Sequence, residues 1–256
     1  MADEVLYRME GRTAVITLNR PDARNAVNGA LATGLHESIE KFEADDEARV
    51  AILTGTGQAF CAGMDLKAFS SGEAGGVVQP KGGFAGFVTY PRTKPVIGAI
   101  NGFALAGGCE IALSCDFLVA AESATFGLPE PMRGLFAAAG GVFRLPRAMF
   151  PRKALEMILT AERIDAAEAH RVGLVNHVVA DGDLLAKALE IAEKIAKNAP
   201  LSIKASLELA RLSQDLTEEE LWKRNNHFSG TVNTSKDAME GAMAFVEKRE
   251  PVWKGE

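Results

Sequence analysis

Polar and apolar positions along the chain divide it into two regions of different period. Arg12–Leu18 alternates and is rich in Thr, Val and Ile, which predicts a strand. Asn19-Arg20-Pro21-Asp22 breaks it. Asn28–Ala44 places Leu31, Leu35, Ile39 and Phe42 at helical spacing. Arg49–Leu53, Val96–Ile100, Asp116–Ala120 and Val175–Val179 predict further strands. Helices are predicted from about Gly107 to Cys115 and over Pro151–Thr160 and Asp165–Arg171. Ser70–Gly86, Gly-rich and poor in large apolar groups, reads as a mobile surface loop. From Asp181 the period is almost wholly helical, over Asp181–Lys197, Pro200–Leu212, Thr217–Phe228 and Ser235–Lys248. The expected organisation is therefore a mixed α/β part over residues 1–195 and a helical region over 196–256. The second is small for an independent core, so it is expected to pack on the first or on a neighbouring subunit.

Composition narrows the function classes. The 256 residues are 47% hydrophobic and 24% charged, enough apolar material for a sizeable core. A formal net charge of −6 supplies no basic excess for phosphate backbones, so nucleic acid is not expected as a partner. Three cysteines, Cys61, Cys109 and Cys115, without a CxxC pair give no disulfide framework or zinc ribbon. His36, His170, His177 and His227 show no metal-ligand spacing, and no metal is expected. Val96–Ala121 is long enough to span a bilayer but carries Asn101, Glu110 and Asp116, so it reads as soluble core, with no membrane partner expected. The acidic N-terminus lacks an apolar signal segment, and a cytoplasmic location is expected.

Three segments have the makings of a site. In Asn101–Glu110, NGFALAGGCE, a strand ends and a helix opens at Gly107-Gly108. Free N–H groups at a helix start, with no side chain in the way, suit an anion or oxyanion, and Glu110 falls in the first turn. A plain strand–helix turn, whose Glu only complements the helix dipole, fits equally. In Gln58–Lys67, QAFCAGMDLK, Gly63 leaves the Met64 N–H open at a turn, although Cys61 and Met64 are also ordinary core fillers. In Phe126–Glu130, FGLPE, Glu130 precedes the apolar Met132, Leu135 and Phe136. A carboxyl in such surroundings holds its proton towards neutral pH, so Glu110 and Glu130 can divide acid and base roles. The competing view is a loop glutamate in water. GxSxG, Walker A, HExxH and GxGxxG motifs are absent.

Taken in order, LNRPDARNAV (18–27), GQAFCAGMDLK (57–67), KPVIGAINGFALAGGCEIALSCD (94–116), ATFGLPE (124–130), AAGGVFRLPR (138–147), AEAHRVGLVNHVV (167–179) and AFVEKREPVWKG (244–255) make the chain resemble the enoyl-CoA hydratase/isomerase (crotonase) family, nearly end to end. The resemblance implies a crotonase-like spiral of ββα repeats with a C-terminal helical trimerisation region. It implies acyl-CoA thioester substrates, coenzyme A being part of the substrate and not a cofactor, and a homotrimer or dimer of trimers. It places the oxyanion hole at the Met64 and Gly107 N–H groups and the two catalytic carboxylates at Glu110 and Glu130. Arg24 and Lys67 fall where CoA phosphates pass, with Ala62, Asp65 and Leu66 beside them. Phe245 and Lys248 match a C-terminal FxxK segment brought near the nucleotide, sometimes from a neighbouring subunit. Phe84, Phe87, Met132, Leu135 and Phe136 are expected around the acyl chain. Having both glutamates favours hydration of a 2-enoyl-CoA, or the reverse dehydration, over the isomerases of the family and over a non-catalytic acyl-CoA- or RNA-binding member. Gly134–Gly141, GLFAAAGG, departs from a Gly-x-x-Pro-Gly-x-Gly-Gly stretch frequent in hydratases. RLPR (144–147) and EKREPVWKG look most like the carnitinyl-CoA dehydratase branch.

Overall fold

The computed structural model describes residues 3–67 and 76–256. Strand β1 (Val5–Glu10) turns at Gly11-Arg12 into β2 (Thr13–Leu18), with Gly11 at φ +58°. Helix α1 (Gly29–Ala44) follows, capped by Asn28, whose side chain accepts the Leu31 N–H at 2.8 Å. From there the chain repeats one unit. Strands β3 (Val50–Gly55), β7 (Val96–Ile100) and β9 (Phe117–Ala121) join a six-stranded sheet. Each is followed by a short strand of a second, four-stranded sheet: β4 (Ala59–Cys61), β8 (Phe103–Leu105) and β10 (Thr125–Gly127). Helix α2 (Gly107–Ala112) closes one unit, and a 3₁₀ turn, Glu130–Arg133, closes the next. This is a spiral of ββα turns. The first sheet runs β1-β2-β3-β7-β9-β12, parallel except for β1, with β12 at His177–Val179. The second runs β11-β10-β8-β4, with β11 (Arg163–Asp165) antiparallel to its neighbour.

Period-2 strands bury both faces of the first sheet. Val50, Ile52, Ile97, Ala99, Val119 and Ala121 meet Leu184, Ala188 and Ala192 of helix α6 (Leu184–Ala196). The alternate residues Ala51, Leu53, Val96, Ile100, Leu118 and Ala120 face the larger core with Leu31, Leu35, Ile39 and Phe42 of α1. Helices α3 (Gly141–Ala148), α4 (Pro151–Thr160) and α5 (Ala166–Arg171) complete the region before α6. Helices α7 (Pro200–Leu212), α8 (Glu218–Asn233) and α9 (Lys236–Glu247) follow it. Their region buries little of its own: Ala205, Ser235, Asp237 and Ala244. It is tied to the spiral where Arg211 forks onto Asp116 at 2.7 and 2.8 Å and donates to the Arg92 carbonyl at 2.6 Å. Among the described residues no helix is long and apolar enough to cross a membrane.

Several elements differ from the sequence expectations. Helix α2 ends at Ala112, not Cys115, and α8 continues past Phe228 to Asn233. Thr231 and Thr234, poor helix formers, are accommodated by donating their hydroxyls back to the carbonyls of His227 and Gly230. The expected loop Ser70–Gly86 lies outside the described residues up to residue 75. Its described part is a hairpin of β5 (Val78–Gln79) and β6 (Gly83–Phe84). Val77 and Ala85 are buried beneath it, and Gly83 and Gly86 adopt positive φ to close tight turns. There the glycines serve turn geometry, not an open loop.

Candidate active site

Strands β4, β8 and β10 are parallel neighbours in the second sheet, so the segments that leave their C-terminal ends meet at one edge. Those segments carry Met64, Gly107 with Glu110, and Glu130. The sequence marks all three, and the structure brings them together.

Two glycines and one strained alanine set the first part of the site. Gly63 has φ +97°, and a methyl group there would sit 2.9 Å from the Ala106 methyl and 3.0 Å from the Gly107 nitrogen. The turn before Met64 is thus packed against the start of α2. Gly108 lies so close to β4 that a methyl group would come within 2.0 Å of the Cys61 carbonyl oxygen. Ala106, which begins the helix, is held at φ 50°, ψ −128°. Such a conformation is costly for a residue with a Cβ. Its N–H is fixed on the Gly127 carbonyl at 3.0 Å. Met64 pairs with Val27 through the flanking groups: Val27 N–H donates to Gly63 O and Asp65 N–H to Val27 O. The Met64 N–H is therefore turned to the other side. Among the described residues no acceptor takes the Met64 or the Gly107 N–H. Phe84 of the hairpin closes over this point, because a methyl group on Gly107 would meet its ring at 2.5 Å.

The two carboxyls stand in different settings. Glu110 is 4% exposed, and its Oε1 accepts the Gly141 N–H at 2.9 Å. Burial pushes its pKa above the ordinary carboxylate value, while the Gly141 and Ala139 N–H groups and the Arg144 cation pull it back. Glu130 is 9% exposed, and its Oε2 is buried without a partner among the described residues. Burial pushes its pKa up to about 7; its own N–H opposes this and the Glu110 charge adds to it. Of the pair, Glu110 is the better hydrogen-bonded carboxylate and Glu130 the better proton holder near neutral pH.

The remaining expected residues fall into three groups. Arg24 is exposed, and its carbonyl accepts the Ala62 N–H at 3.0 Å, which sets it beside the Met64 turn. Leu66 and Lys67 are exposed on the same segment. Asp65 instead faces inward: Oδ2 accepts both Arg20 Nη atoms at 3.2 Å and Oδ1 accepts the Lys67 N–H at 3.1 Å. It anchors the turn, so an aspartate side chain on CoA is not what the geometry offers. Met132, Leu135 and Phe136 are exposed just after Glu130. Phe87 is fully buried in the core, with the Arg92 guanidinium stacked 4.4 Å from its ring. Of the two, Phe84 is the one at the site, over Gly107. Phe245 is 85% exposed and Lys248 ends α9. The chain beyond α9 folds back on the helices, with Trp253 against Gly241 and donating to Lys197 O at 2.7 Å. Sequence reasoning missed Gly141 and Arg144. Their available signal is a Gly-Gly pair at a helix start, followed by an arginine among Val142, Phe143 and Leu145. Among the described residues no group of three or more His, Cys, Asp or Glu side chains is placed to hold a metal ion.

The ββα spiral gathers Glu110, Glu130 and the open Met64 and Gly107 N–H groups at one sheet edge, and its fold is that of the crotonase family. The profile of the enoyl-CoA hydratase/isomerase family matches residues 8–256, and the chain belongs to that family. It is 42% identical to a carnitinyl-CoA dehydratase of Salmonella heidelberg (strain SL476), over the whole of both chains. Its structure is similar to that of a probable enoyl-CoA hydratase/isomerase from Mycobacterium abscessus, at 47% identity and TM-score 0.94 over the whole of both chains. It is also similar to a carnitinyl-CoA hydratase from Mycobacterium avium, at 44% identity and TM-score 0.79, again over both chains in full.

Proposed function

We propose that the protein is a hydro-lyase that adds water across the 2,3 double bond of a 2-enoyl-CoA, or removes it from the 3-hydroxyacyl-CoA. The observation that carries this reading is the unequal pair of buried carboxyls in front of two unpartnered N–H groups. The Met64 and Gly107 N–H groups receive the thioester carbonyl oxygen and stabilise the enolate as C3 is attacked. Glu110, ionised and held by Gly141, takes the proton from the attacking water. Glu130, protonated near neutral pH, delivers its proton to C2. Dehydration runs the same steps backwards.

In this reading Arg24 and Lys67 meet the CoA phosphates. Phe84, Met132, Leu135 and Phe136 surround the acyl chain. Phe245, 85% exposed, and Lys248 reach the nucleotide of a second copy in a homotrimer or a dimer of trimers. A second reading, dehydration of a carnitinyl-CoA or a similar 3-hydroxyacyl thioester with a cationic end, is supported by the 42% identity to a named carnitinyl-CoA dehydratase. It uses the same site. Loss of the enoyl-thioester absorbance with crotonyl-CoA tests the first reading. A panel including carnitinyl-CoA and crotonobetainyl-CoA separates the second. No turnover of any of these thioesters would contradict both.

A further inference from the structure

Arg144 joins three segments that surround Glu110. Its Nη1 donates to Ser114 Oγ at 2.6 Å and to the Ala139 carbonyl at 3.4 Å, and its Nη2 donates to the Val88 carbonyl at 2.6 Å. Ser114 Oγ in turn donates to the Glu110 carbonyl at 2.7 Å. The Gly141 N–H donates to the Glu110 carboxylate, and the Ala139 N–H also draws its pKa down. Val88 closely follows the hairpin that lays Phe84 over Gly107. Gly140, between the two donors, has φ +108°, and a methyl group there would lie 3.1 Å from Arg144 Nη1. The turn is thus moulded on the guanidinium.

All three acceptors of this arginine are neutral, and among the described residues no carboxylate lies within ion-pair distance of it. Neutral donors would serve such contacts without the cost of desolvating a charge. The neighbouring Arg92 offers a comparison. It too donates to neutral oxygens, the Phe87 and Ser114 carbonyls, but Asp116 faces it. The carboxylate that faces Arg144 is Glu110. The other groups near Glu110 are Glu130, on the 3₁₀ turn, and the Cys109 thiol, which burial pushes up to about 12 and keeps neutral. Arg144 is therefore the cation that bears on Glu110.

We infer that Arg144 is a positioning residue that works through Glu110: it fixes the 139–141 turn from which the Gly141 N–H orients the carboxylate, and it sets a positive charge behind that turn. This rests on the role proposed for Glu110 above. The test compares wild type, Arg144→Lys and Arg144→Gln by two readouts. One is the acid limb of kcat/KM on whichever thioester is turned over best. The other is the titration of the Glu110 carboxyl followed by ¹³C NMR of glutamate-labelled protein, assigned by its loss in Glu110→Gln. Arg144→Gln is expected to move both upward by about one to two pH units, with activity recovering at higher pH. Arg144→Lys, which keeps the charge but not the fork, is expected to move both upward by less than Arg144→Gln does, while lowering thermal stability. If Arg144→Gln loses activity by the same factor at every pH with the Glu110 titration unmoved, the role is structural only and the inference falls. Should Arg144→Gln not fold, Arg144→Lys decides alone: an upward shift of the Glu110 titration sustains the inference, and an unmoved titration with activity lost by the same factor at every pH overturns it. The NMR readout needs no substrate, so inactivity of the wild type would sink the proposed function without deciding this point.

Discussion

The Gly141 N–H donates to Glu110 Oε1 at 2.9 Å, and this bond joins the start of one helix to the first turn of another across the site. It gives Glu110 an orientation and a reason to be ionised. Glu130 has only its own N–H to oppose burial, and its Oε2 lacks a partner among the described residues. The division of labour between two chemically identical side chains follows from that difference.

The Glu130 carboxyl makes stability pH-dependent in a defined direction. Its folded pKa of about 7 lies above the ordinary value of 4.5, so the folded state binds the extra proton between these limits. Stability is undiminished below about pH 4.5 and falls as pH rises towards 7, by on the order of 1–3 kcal/mol, the low end applying if water reaches the carboxyl. Glu130→Gln removes the ionisation. Calorimetry is expected to show the variant with a higher Tm than wild type at pH 8 and a similar Tm at pH 5. A variant less stable at both pH values would show that the buried oxygen has a partner.

Gly107 and Gly108 are expected to respond differently to the same substitution. A methyl group at 108 meets a backbone carbonyl at 2.0 Å, which cannot yield, so Gly108→Ala should separate α2 from β4 and abolish folding or activity. A methyl group at 107 meets the end of the Phe84 ring, which can move. Gly107→Ala should fold, and Phe84→Ala should restore part of what it loses. A double-mutant cycle on stability and kcat measures that coupling; strict additivity would mean the ring does not lie over Gly107.

Asp65 is expected to behave unlike its neighbours. Arg24→Ala and Lys67→Ala should raise KM several-fold with kcat little changed, as groups that hold the nucleotide do. Asp65→Ala frees the turn from Arg20 and should lower kcat as well, because Met64 moves with it. Steady-state kinetics on the three variants separates the cases. A pure KM effect at Asp65 would return it to the CoA contacts.

Much of this was readable in the chain before any coordinates. The parallel strands Val50–Gly55, Val96–Ile100 and Phe117–Ala121 are apolar runs bounded by breakers, and the glutamates stand beside glycine and proline turns. The missed strands β4, β8, β10 and β11 are three residues each, too short to show a period. Edge strand β1 reads as polar because most of it is exposed. Phe87 looked like a wall of the acyl pocket since it follows Phe84 closely in a Gly-rich stretch. The hairpin turns after β6, which carries Phe87 into the core and leaves Phe84 on Gly107. Arg144 escaped notice because its importance lies in three backbone and hydroxyl acceptors from distant segments, and no local pattern encodes those.

Assembly is a separate expectation. The apolar residues Met239, Met243, Phe245 and Val246 of α9 are exposed in the single chain, and the C-terminal region buries little by itself. A second copy covering them would account for both. Native mass spectrometry is expected to give a trimer or hexamer, and a monomer at micromolar concentration would contradict the proposed delivery of Phe245 and Lys248 from another subunit.

The central claim is that Glu110 and Glu130 act together on one water and one C2 proton. It is tested most directly by kcat for Glu110→Gln, Glu130→Gln and the double variant on the best enoyl-CoA of the panel. Each single change is expected to cost about 10²–10⁴-fold, and the double to be little worse than either, because groups that act as a unit are not additive. Near-wild-type hydration by Glu130→Gln would contradict the account and leave a one-carboxylate mechanism in its place.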